Sequence, residues 1–277
     1  MTQTSIPIEK GTIQETMLGP LWARAKYSQL YPELLNDTKA IHLIEKLNYN
    51  FSEIQQYLGE WRGLGLMARA RNFDNSLKRF IETHPESTIV NIGAGLDTTF
   101  YRVDNGKIRW YDLDLPDAIQ FRKELLSEPD RCKYIPSSAF NYTWFDEIEF
   151  QPEKGIFFLL GGFIYYFKEA KISLLFNTMA ERFPEGELIF DCISKLAVKI
   201  GNRRFKKAGT KEPPWHLSIG NPEKQIKNWS IKIQMVDWFT NWARLSINPT
   251  WDTKILKMIK VSERLKIAKI VHIRFLK

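Results

Sequence analysis

The sequence predicts an α/β protein with a mostly parallel, doubly wound sheet, an antiparallel edge, a helical N-terminal cap and an inserted lid. Three observations predict this fold. From Thr88 onward, short apolar runs alternate with helical patterns, a glycine turn follows the first run, and the chain ends in two segments of period-two alternation. Because parallel strands need crossover connections, the alternation indicates a sheet covered on both faces.

Residues 1–86 form the predicted helical cap. An Asn36-Asp37 capping signal precedes an apolar stripe made of Ile41, Ile44 and Leu47. A second stripe recurs at a spacing of three to four residues and consists of Met67, Ala70, Phe73, Leu77, Phe80 and Ile81. Nothing in this region has the pattern of a strand.

Residues 87–192 form the predicted core of strands and helices. The apolar runs predicted as strands are Ile89-Val90, Ile108 to Leu113, Ile156 to Leu160 and Leu188 to Phe190. Two helices are expected between them, from Pro116 to Leu126 and from Lys168 to Phe183. Proline suits the first turn of a helix, so the start at Pro116 is well defined.

The last third of the chain departs from this alternation. Residues 193–230 contain a basic stretch and Pro213-Pro214-Trp215, and we interpret them as a lid or substrate-binding insertion. Residues 231–277 are predicted to supply antiparallel edge strands at Ile231 to Met235 and Ile267 to Phe275. With no internal repeat or long linker, the whole chain of 277 residues is expected to be one domain.

Composition narrows the class of protein without deciding its function. A hydrophobic fraction of 44% is typical of a globular chain, and a net charge of +8 suits a nucleic-acid binder, a membrane-surface protein or an enzyme with an acidic substrate. The run from Arg203 to Lys211 is most simply a solvated loop.

Cys132 and Cys192 form no CxxC pair, so neither a disulfide nor a metal site is expected. No apolar leader or membrane-spanning run is present, which favours a cytoplasmic protein.

A nucleotide site is predicted where two strands end. Gly93 and Gly95 follow the first apolar run, and Asp112 and Asp114 lie 19 and 21 residues beyond Gly93. A glycine turn lets backbone amides approach a nucleotide, and an acidic side chain after the second strand can accept both ribose hydroxyls. This spacing fits nicotinamide and adenosylmethionine enzymes equally.

The residues after the glycines favour adenosylmethionine. A dinucleotide fingerprint needs a third small residue where this chain has Asp97 and Thr98. A carboxylate at that position would repel a pyrophosphate and attract the cationic part of adenosylmethionine. An NAD(P)-linked oxidoreductase is therefore the weaker interpretation.

Several longer motifs resemble the leucine carboxyl methyltransferase family, including its bacterial branch of polyketide O-methyltransferase-like (tetracenomycin-type) proteins. They are VNIGAGLDTTFYR (Val90 to Arg102), WYDLDLPDAI (Trp110 to Ile119), LMARARNFD (Leu66 to Asp74), LWARAKYS and LNDTKAI. The motifs stand in the family's order, and the resemblance runs from about Thr16 to Phe167.

The resemblance implies a Rossmann-like class I methyltransferase that uses S-adenosyl-L-methionine. In such a protein the glycine turn holds the methionine part, Asp114 binds the ribose and Arg69 pairs with the methionine carboxylate, with Arg24 or Lys26 as a second cation. The full set of cofactor residues predicted in this way is Arg69, Gly93, Ala94, Gly95, Asp97, Asp112, Asp114, Leu115, Ser138, Ala139 and Gly161.

The chain departs from the family's pattern at two positions. Relatives tend to carry an acidic residue near the adenine where this chain has Ser137-Ser138-Ala139, and many carry a glutamate where it has Gly161-Gly162. Ser138 and backbone amides are expected to hold the adenine instead.

The predicted reaction is methylation of a carboxylate or hydroxyl oxygen of a small, acidic acceptor, with no nucleic-acid or membrane partner. Tyr166 and His216 are the candidate catalytic residues, although an aromatic residue after a strand is often packing and a loop histidine is often only exposed. A catalytically decayed scaffold that acts as a basic binding protein is the alternative.

Overall fold

The computed structural model describes residues 13–207 and 214–277. The first twelve residues, searched above for a leader, lie outside the described residues. So do residues 208–213, which include the end of the basic run and Pro213. None of the helices in the described part of the chain combines the length and apolar character that a bilayer crossing requires.

A seven-stranded sheet forms the centre of the molecule, in the order β3-β2-β1-β4-β5-β7-β6. The strands are β1 (Thr88–Ile92), β2 (Arg109–Asp114), β3 (Cys132–Pro136), β4 (Ile156–Leu160), β5 (Glu187–Ile193), β6 (Ile233–Thr240) and β7 (Ala268–Phe275). The first five are parallel, and β7 runs antiparallel to both β5 and β6. The predicted fold class is confirmed. The outermost of the two C-terminal strands is β6, because β7 inserts between it and β5.

Nine helices surround the sheet in the described ranges. They are α1 (Ile13–Leu30), α2 (Thr38–Lys46), α3 (Ser52–Thr83), α4 (Phe100–Val103), α5 (Pro116–Leu125), α6 (Glu169–Arg182), α7 (Lys195–Lys207), α8 (Pro222–Trp229) and α9 (Thr253–Arg264). The predicted cap is confirmed, because the Asp37 side chain accepts a hydrogen bond from the Ala40 amide at 2.9 Å at the start of α2. Helix α9 was not predicted, and α3 is kinked at Gly59, whose φ is 58°.

Apolar layers cover the two faces of the sheet. Ile89 and Val90 are neighbours in β1 and point to opposite faces, so they enter different core clusters. Phe157 and Phe158 divide in the same way in β4. Both strands are buried along their whole length, which explains why they are apolar runs without alternation.

The carboxyl end of β1 is the topological switch point of the sheet. Strand β1 pairs with β2 on one side and with β4 on the other, so the chain leaves this point toward both halves of the sheet. Open α/β sheets bind ligands in the crevice at such a point. The glycine turn at residues 93–95 follows β1 directly.

A buried ion cluster attaches the N-terminal helices to the sheet. The Asp37 carboxylate lies 3.0 Å from Arg24 Nε and 2.7 Å from Arg102 Nη1, and it also accepts the Thr98 hydroxyl. Arg102 reaches back to Asp74 in α3 at 2.7 Å. These side chains join α1, α2 and α3 to the segment that follows the glycine turn.

We expect Asp37→Asn to lower the free energy of unfolding by about 3–5 kcal/mol, because it removes one partner of a buried ion pair. Urea unfolding measures the change. The control is Glu124→Gln, an exposed position on α5, for which we expect a change within ~0.5 kcal/mol. Equal unfolding midpoints for the two variants would contradict the role given to the cluster.

Candidate cofactor and acceptor cavity

One cavity of about 1910 Å³ opens at the switch point. Its floor contains residues from the carboxyl ends of β1, β2, β4 and β5. Ten of the predicted cofactor residues line it, namely Arg69, Gly93, Ala94, Gly95, Asp97, Asp114, Leu115, Ser138, Ala139 and Gly161. The structure therefore brings together nearly all of the residues that the sequence motifs selected.

The glycine turn has the backbone conformation that glycine permits. Gly93 and Gly95 have φ values of 72° and 46°, and a Cβ on Gly93 would lie 2.7 Å from the Phe163 ring. The amides of Gly93 and Ala94 both donate to the Leu113 carbonyl, at 2.8 and 3.2 Å. Unlike our expectation, these amides are already engaged. The Gly93 carbonyl accepts no hydrogen bond from the described residues and is the polar group left for a ligand.

Asp114 ends β2 with its carboxylate held by the backbone. One oxygen accepts the Gly95 amide at 2.7 Å and the other accepts the Leu115 amide at 2.8 Å. Burial raises the pKa of the Asp114 carboxyl, and the two amide hydrogen bonds offset only part of this rise. A carboxylate oxygen has two lone-pair sites, so each oxygen keeps one for a further donor.

Asp112 does not line the cavity, which corrects its predicted role as a cofactor ligand. Its side chain is fully buried. One oxygen accepts from Asn91 Nδ2 at 3.0 Å and Trp110 Nε1 at 2.9 Å, and the other lies 2.6 Å from Arg122 Nη2. With both oxygens taken inside the protein, Asp112 binds Arg122 rather than a ligand.

Arg122 supports the glycine turn from behind. Its Nη1 donates to the carbonyls of Gly95 and Asp97, at 2.9 and 2.8 Å, while Nη2 holds Asp112. The sequence motifs did not select this residue. One signal was available, because Arg122 occurs at the spacing of the buried residues Ala118 and Leu125 on α5.

Asp97 stays ionised in the cavity wall. Burial raises the pKa of its carboxyl, but the positive charges of Arg24 and Arg102 outweigh that effect and leave the pKa below its ordinary value. Arg24 is itself bound to Asp37 and to the Leu96 carbonyl, at 3.0 and 2.8 Å. Of the two predicted second cations, Arg24 lines this cavity and Lys26 does not.

Arg69 forms an ion pair that the sequence did not reveal. Its Nη1 lies 3.2 Å from the carboxylate of Asp191, which also accepts the Gly162 amide. Gly162 has a φ of 74°, and a Cβ there would lie 2.8 Å from Arg69 Nη1, so both the backbone conformation and the nearby guanidinium favour glycine. Burial lowers the pKa of Arg69, and the negative charge of Asp191 more than restores it. The available signal for Asp191 was an acidic residue within the apolar strand ELIFDCI.

The two candidate catalytic residues lie in different places. Tyr166 lines the cavity and is 40% exposed, and burial within the wall raises the pKa of its hydroxyl. His216 is exposed and does not line the cavity, while its backbone amide donates to the Tyr165 carbonyl at 2.7 Å. The expectation that His216 acts as a base is therefore corrected.

A wall of aromatic rings extends from Arg69 to the far part of the cavity. Ring centroids are 5.2 Å apart for Tyr165 and Trp215, 5.4 Å for Trp215 and Phe205, and 6.2 Å for Phe205 and Tyr57. Trp215 packs on α7 so closely that a Cβ on Gly201 would lie 2.0 Å from its ring. This wall joins α3, α7 and the segment after residue 213.

The strand order, the antiparallel β7, the glycine turn after β1 and the acidic residue ending β2 together define a class I methyltransferase fold with its nucleotide crevice. A family model described as leucine carboxyl methyltransferase matches residues 17–180. The chain belongs to the leucine carboxyl methyltransferase family and is an S-adenosylmethionine-dependent methyltransferase.

Two relatives agree with this assignment, and one solved structure shares the fold. Tetracenomycin polyketide synthesis O-methyltransferase TcmP of Streptomyces glaucescens is 28% identical over 212 residues, 76% of each chain. An S-adenosyl-L-methionine-dependent methyltransferase, dpfgK of Gibberella zeae, is 24% identical over 72% of this chain and 74% of that protein. A duf574 family protein from Streptomyces avermitilis shares the fold, with a TM-score of 0.60, 11% identity and coverage of 92% of this chain and 97% of that one.

We expect Gly162→Ala to weaken S-adenosylhomocysteine binding roughly tenfold, because the new methyl group strains the backbone and displaces the Arg69 guanidinium. Isothermal titration calorimetry measures the affinity. Gly106→Ala is the matched control, since Gly106 also has a positive φ of 80° but nothing within 4 Å of an added Cβ. If both variants bind S-adenosylhomocysteine equally well, the position of the Arg69 guanidinium does not affect binding and the prediction is wrong.

Proposed function

We propose that this methyltransferase methylates an oxygen of a small anionic acceptor, either a carboxylate or an ionised hydroxyl. The observation that carries the proposal is a single cavity with two chemically different parts. One part contains the glycine turn and Asp114, and the other combines the aromatic wall with basic side chains such as Arg62 and Arg204. The likeness to TcmP, which is named as an O-methyltransferase of polyketide synthesis, supports a small-molecule acceptor.

The nucleoside part of adenosylmethionine fits beside Asp114. We assign the ribose hydroxyls to the lone-pair sites that Asp114 retains, since two hydroxyl donors then meet an ionised acceptor. The adenine fits against Leu115, Ser138 and Ala139, all of which line the same part of the cavity. The Ser138 hydroxyl already accepts the Phe140 amide at 3.3 Å and still has its own proton to donate.

The methionine part is a zwitterion, and the Arg69–Asp191 pair carries the complementary charges. We assign the carboxylate to the Arg69 guanidinium and the ammonium to Asp191 and the free Gly93 carbonyl. Asp191 also supplies an acidic group beside Gly161-Gly162, where relatives tend to carry a glutamate. The negative charge then comes from the end of β5 instead of the loop after β4.

Adenosylmethionine supplies a methyl group on a sulfonium, whose neutral thioether leaves without protonation. The protein's contribution is to align donor and acceptor, an effect whose ceiling is about 7–11 kcal/mol. Neither predicted base helps to ionise the acceptor, because the pKa of Tyr166 is raised and His216 is outside the cavity. An acceptor that is already ionised at neutral pH, above all a carboxylate, fits this site.

In this proposal, residues 193–207 and 214–230 shape the acceptor side together with Tyr57 and Arg62 of α3, and the rest of the cavity lining from residues 13–86 caps the cofactor side. Asn202 on α7 donates from Nδ2 to the Trp215 carbonyl at 2.8 Å and accepts the Trp215 amide at 3.3 Å. These bonds hold the aromatic wall against α7. The segment therefore acts as one surface over the acceptor.

Asp114→Ala tests the cofactor assignment. We expect the affinity for S-adenosylhomocysteine to fall roughly 10- to 100-fold, because hydrogen bonds to a charged group contribute about 1.5–3 kcal/mol. Calorimetry measures the affinity, and Asp117→Ala, an exposed aspartate on α5, is the matched control. Clear binding of NAD by the native protein, with no heat from either adenosyl ligand, would reverse the assignment.

The pH dependence of binding gives a second test. Since burial raises the pKa of Asp114, its carboxylate is protonated at a higher pH than an ordinary aspartate. We expect S-adenosylhomocysteine affinity to be retained above that raised pKa and lost as pH falls through it, while Asp114→Ala shows no such step. The same acid step in Asp114→Ala would assign the titration to another group.

A further inference from the structure

Two arginines on the cavity wall have no carboxylate partner among the described residues. Four arginines line the cavity, and two of them, Arg24 and Arg69, are paired with Asp37 and Asp191. No described carboxylate lies within salt-bridge distance of Arg62 or Arg204. Arg62 Nε is buried and makes no hydrogen bond in the described structure. A buried donor without a partner costs about 1–3 kcal/mol, and a ligand acceptor would remove that cost.

Arg62 and Arg204 form one cluster with Tyr57. The Arg62 guanidinium lies 5.0 Å from the centroid of the Tyr57 ring, within the range of a cation–π contact. Burial and the positive charge of Arg204 both lower the pKa of Arg62. Burial raises the pKa of Tyr57, and the two arginines oppose this rise. Phe205, the neighbour of Arg204 on α7, has its ring centroid 6.2 Å from that of Tyr57, and both arginines line the same cavity. An anion bound between two like charges would offset their repulsion.

This cluster lies apart from the proposed methionine site. Arg62 and Arg69 are seven residues apart on α3, which is two helical turns on the same face and about 10 Å along the axis. The aromatic wall runs alongside, through Trp215. Trp215 Nε1 is another buried donor without a partner in the described structure. These two donors of the cavity wall are therefore available to a ligand that presents acceptor atoms.

We propose that Arg62 and Arg204 form a second anion-binding site that anchors the end of the acceptor remote from the transferred methyl group. The acceptor class is accordingly a flat molecule with two anionic groups, one methylated and one held by the guanidiniums. The inference rests on the proposed function, which places the cofactor at the other end of the cavity. A planar arginine guanidinium binds a carboxylate through two parallel hydrogen bonds, so it orients the carboxylate of the acceptor as well as attracting its charge.

The test compares two rigid probes that differ by one carboxylate, naphthalene-2,6-dicarboxylate and 2-naphthoate. Calorimetry is performed with the full chain saturated with S-adenosylhomocysteine. We expect the dicarboxylate to bind roughly 10- to 100-fold more tightly than the monocarboxylate, as expected for charge-assisted hydrogen bonds. Arg62→Gln and Arg204→Gln should each reduce that preference about tenfold, and they should be non-additive in the double variant because both contact one group.

Arg203→Gln is the matched control, because Arg203 is exposed on the same helix as Arg204 but does not line the cavity. It should retain the preference for the dicarboxylate. Equal affinity for the two probes, no binding of either probe, or a preference that survives both cavity substitutions would overturn the anchor. Arg62 and Arg204 lie on different helices, α3 and α7. A folding defect in one variant therefore leaves the other variant as an independent test.

Affinity for S-adenosylhomocysteine is measured separately on each protein and distinguishes the two proposals. If the native protein does not bind S-adenosylhomocysteine but still prefers the dicarboxylate probe, the proposed function is overturned and the anion site is still supported. Intact affinity with no dicarboxylate preference would overturn the anion site alone.

Discussion

The buried contact between Arg122 and Asp112 is the constraint on which the site depends. Glycine residues allow the backbone of the turn many conformations. The position of the turn relative to Asp114 decides whether a nucleoside fits between them. Arg122 fixes the turn by donating to the Gly95 and Asp97 carbonyls, and Asp112 neutralises the guanidinium inside the sheet's covering layer. Its guanidinium also lies 4.9 Å from the Tyr134 ring centroid. Removing either partner would leave a buried charge unpaired and the turn unsupported.

Charge pairing then separates the cavity into parts with different tasks. Near the switch point, each lining arginine has a carboxylate partner, as in Arg69–Asp191, so both charges that a zwitterion would need are already present there. In the far part, Arg62 and Arg204 have no described partner, and the surroundings are aromatic. In the proposed function, the first part of the cavity holds the cofactor and the second part attracts an anionic acceptor.

Much of the candidate cofactor site could be predicted from the sequence, because its residues follow from local rules. Gly93, Gly95 and Asp114 stand at strand ends, where the pattern of apolar runs already locates them. The errors came from residues whose role depends on neighbours distant in the chain. Asp112 and Asp114 lie at nearly the same distance along the chain from Gly93, but Asp112 forms an ion pair with Arg122. His216 was selected by residue type, and only the path of the loop shows that its ring faces outward.

The sequence by itself determined the alternation of strands and helices in residues 87–192, the glycine turn and the acidic residue at the end of β2, because hydrophobic periodicity and turn chemistry act over a few residues. The tertiary structure decided which carboxylates are free. Asp191, Arg69 and Gly162 are brought together by the pairing of β4 with β5 and the packing of α3, contacts separated by as many as 122 residues. Ionic partners are chosen through space, so no local pattern in the chain can specify them.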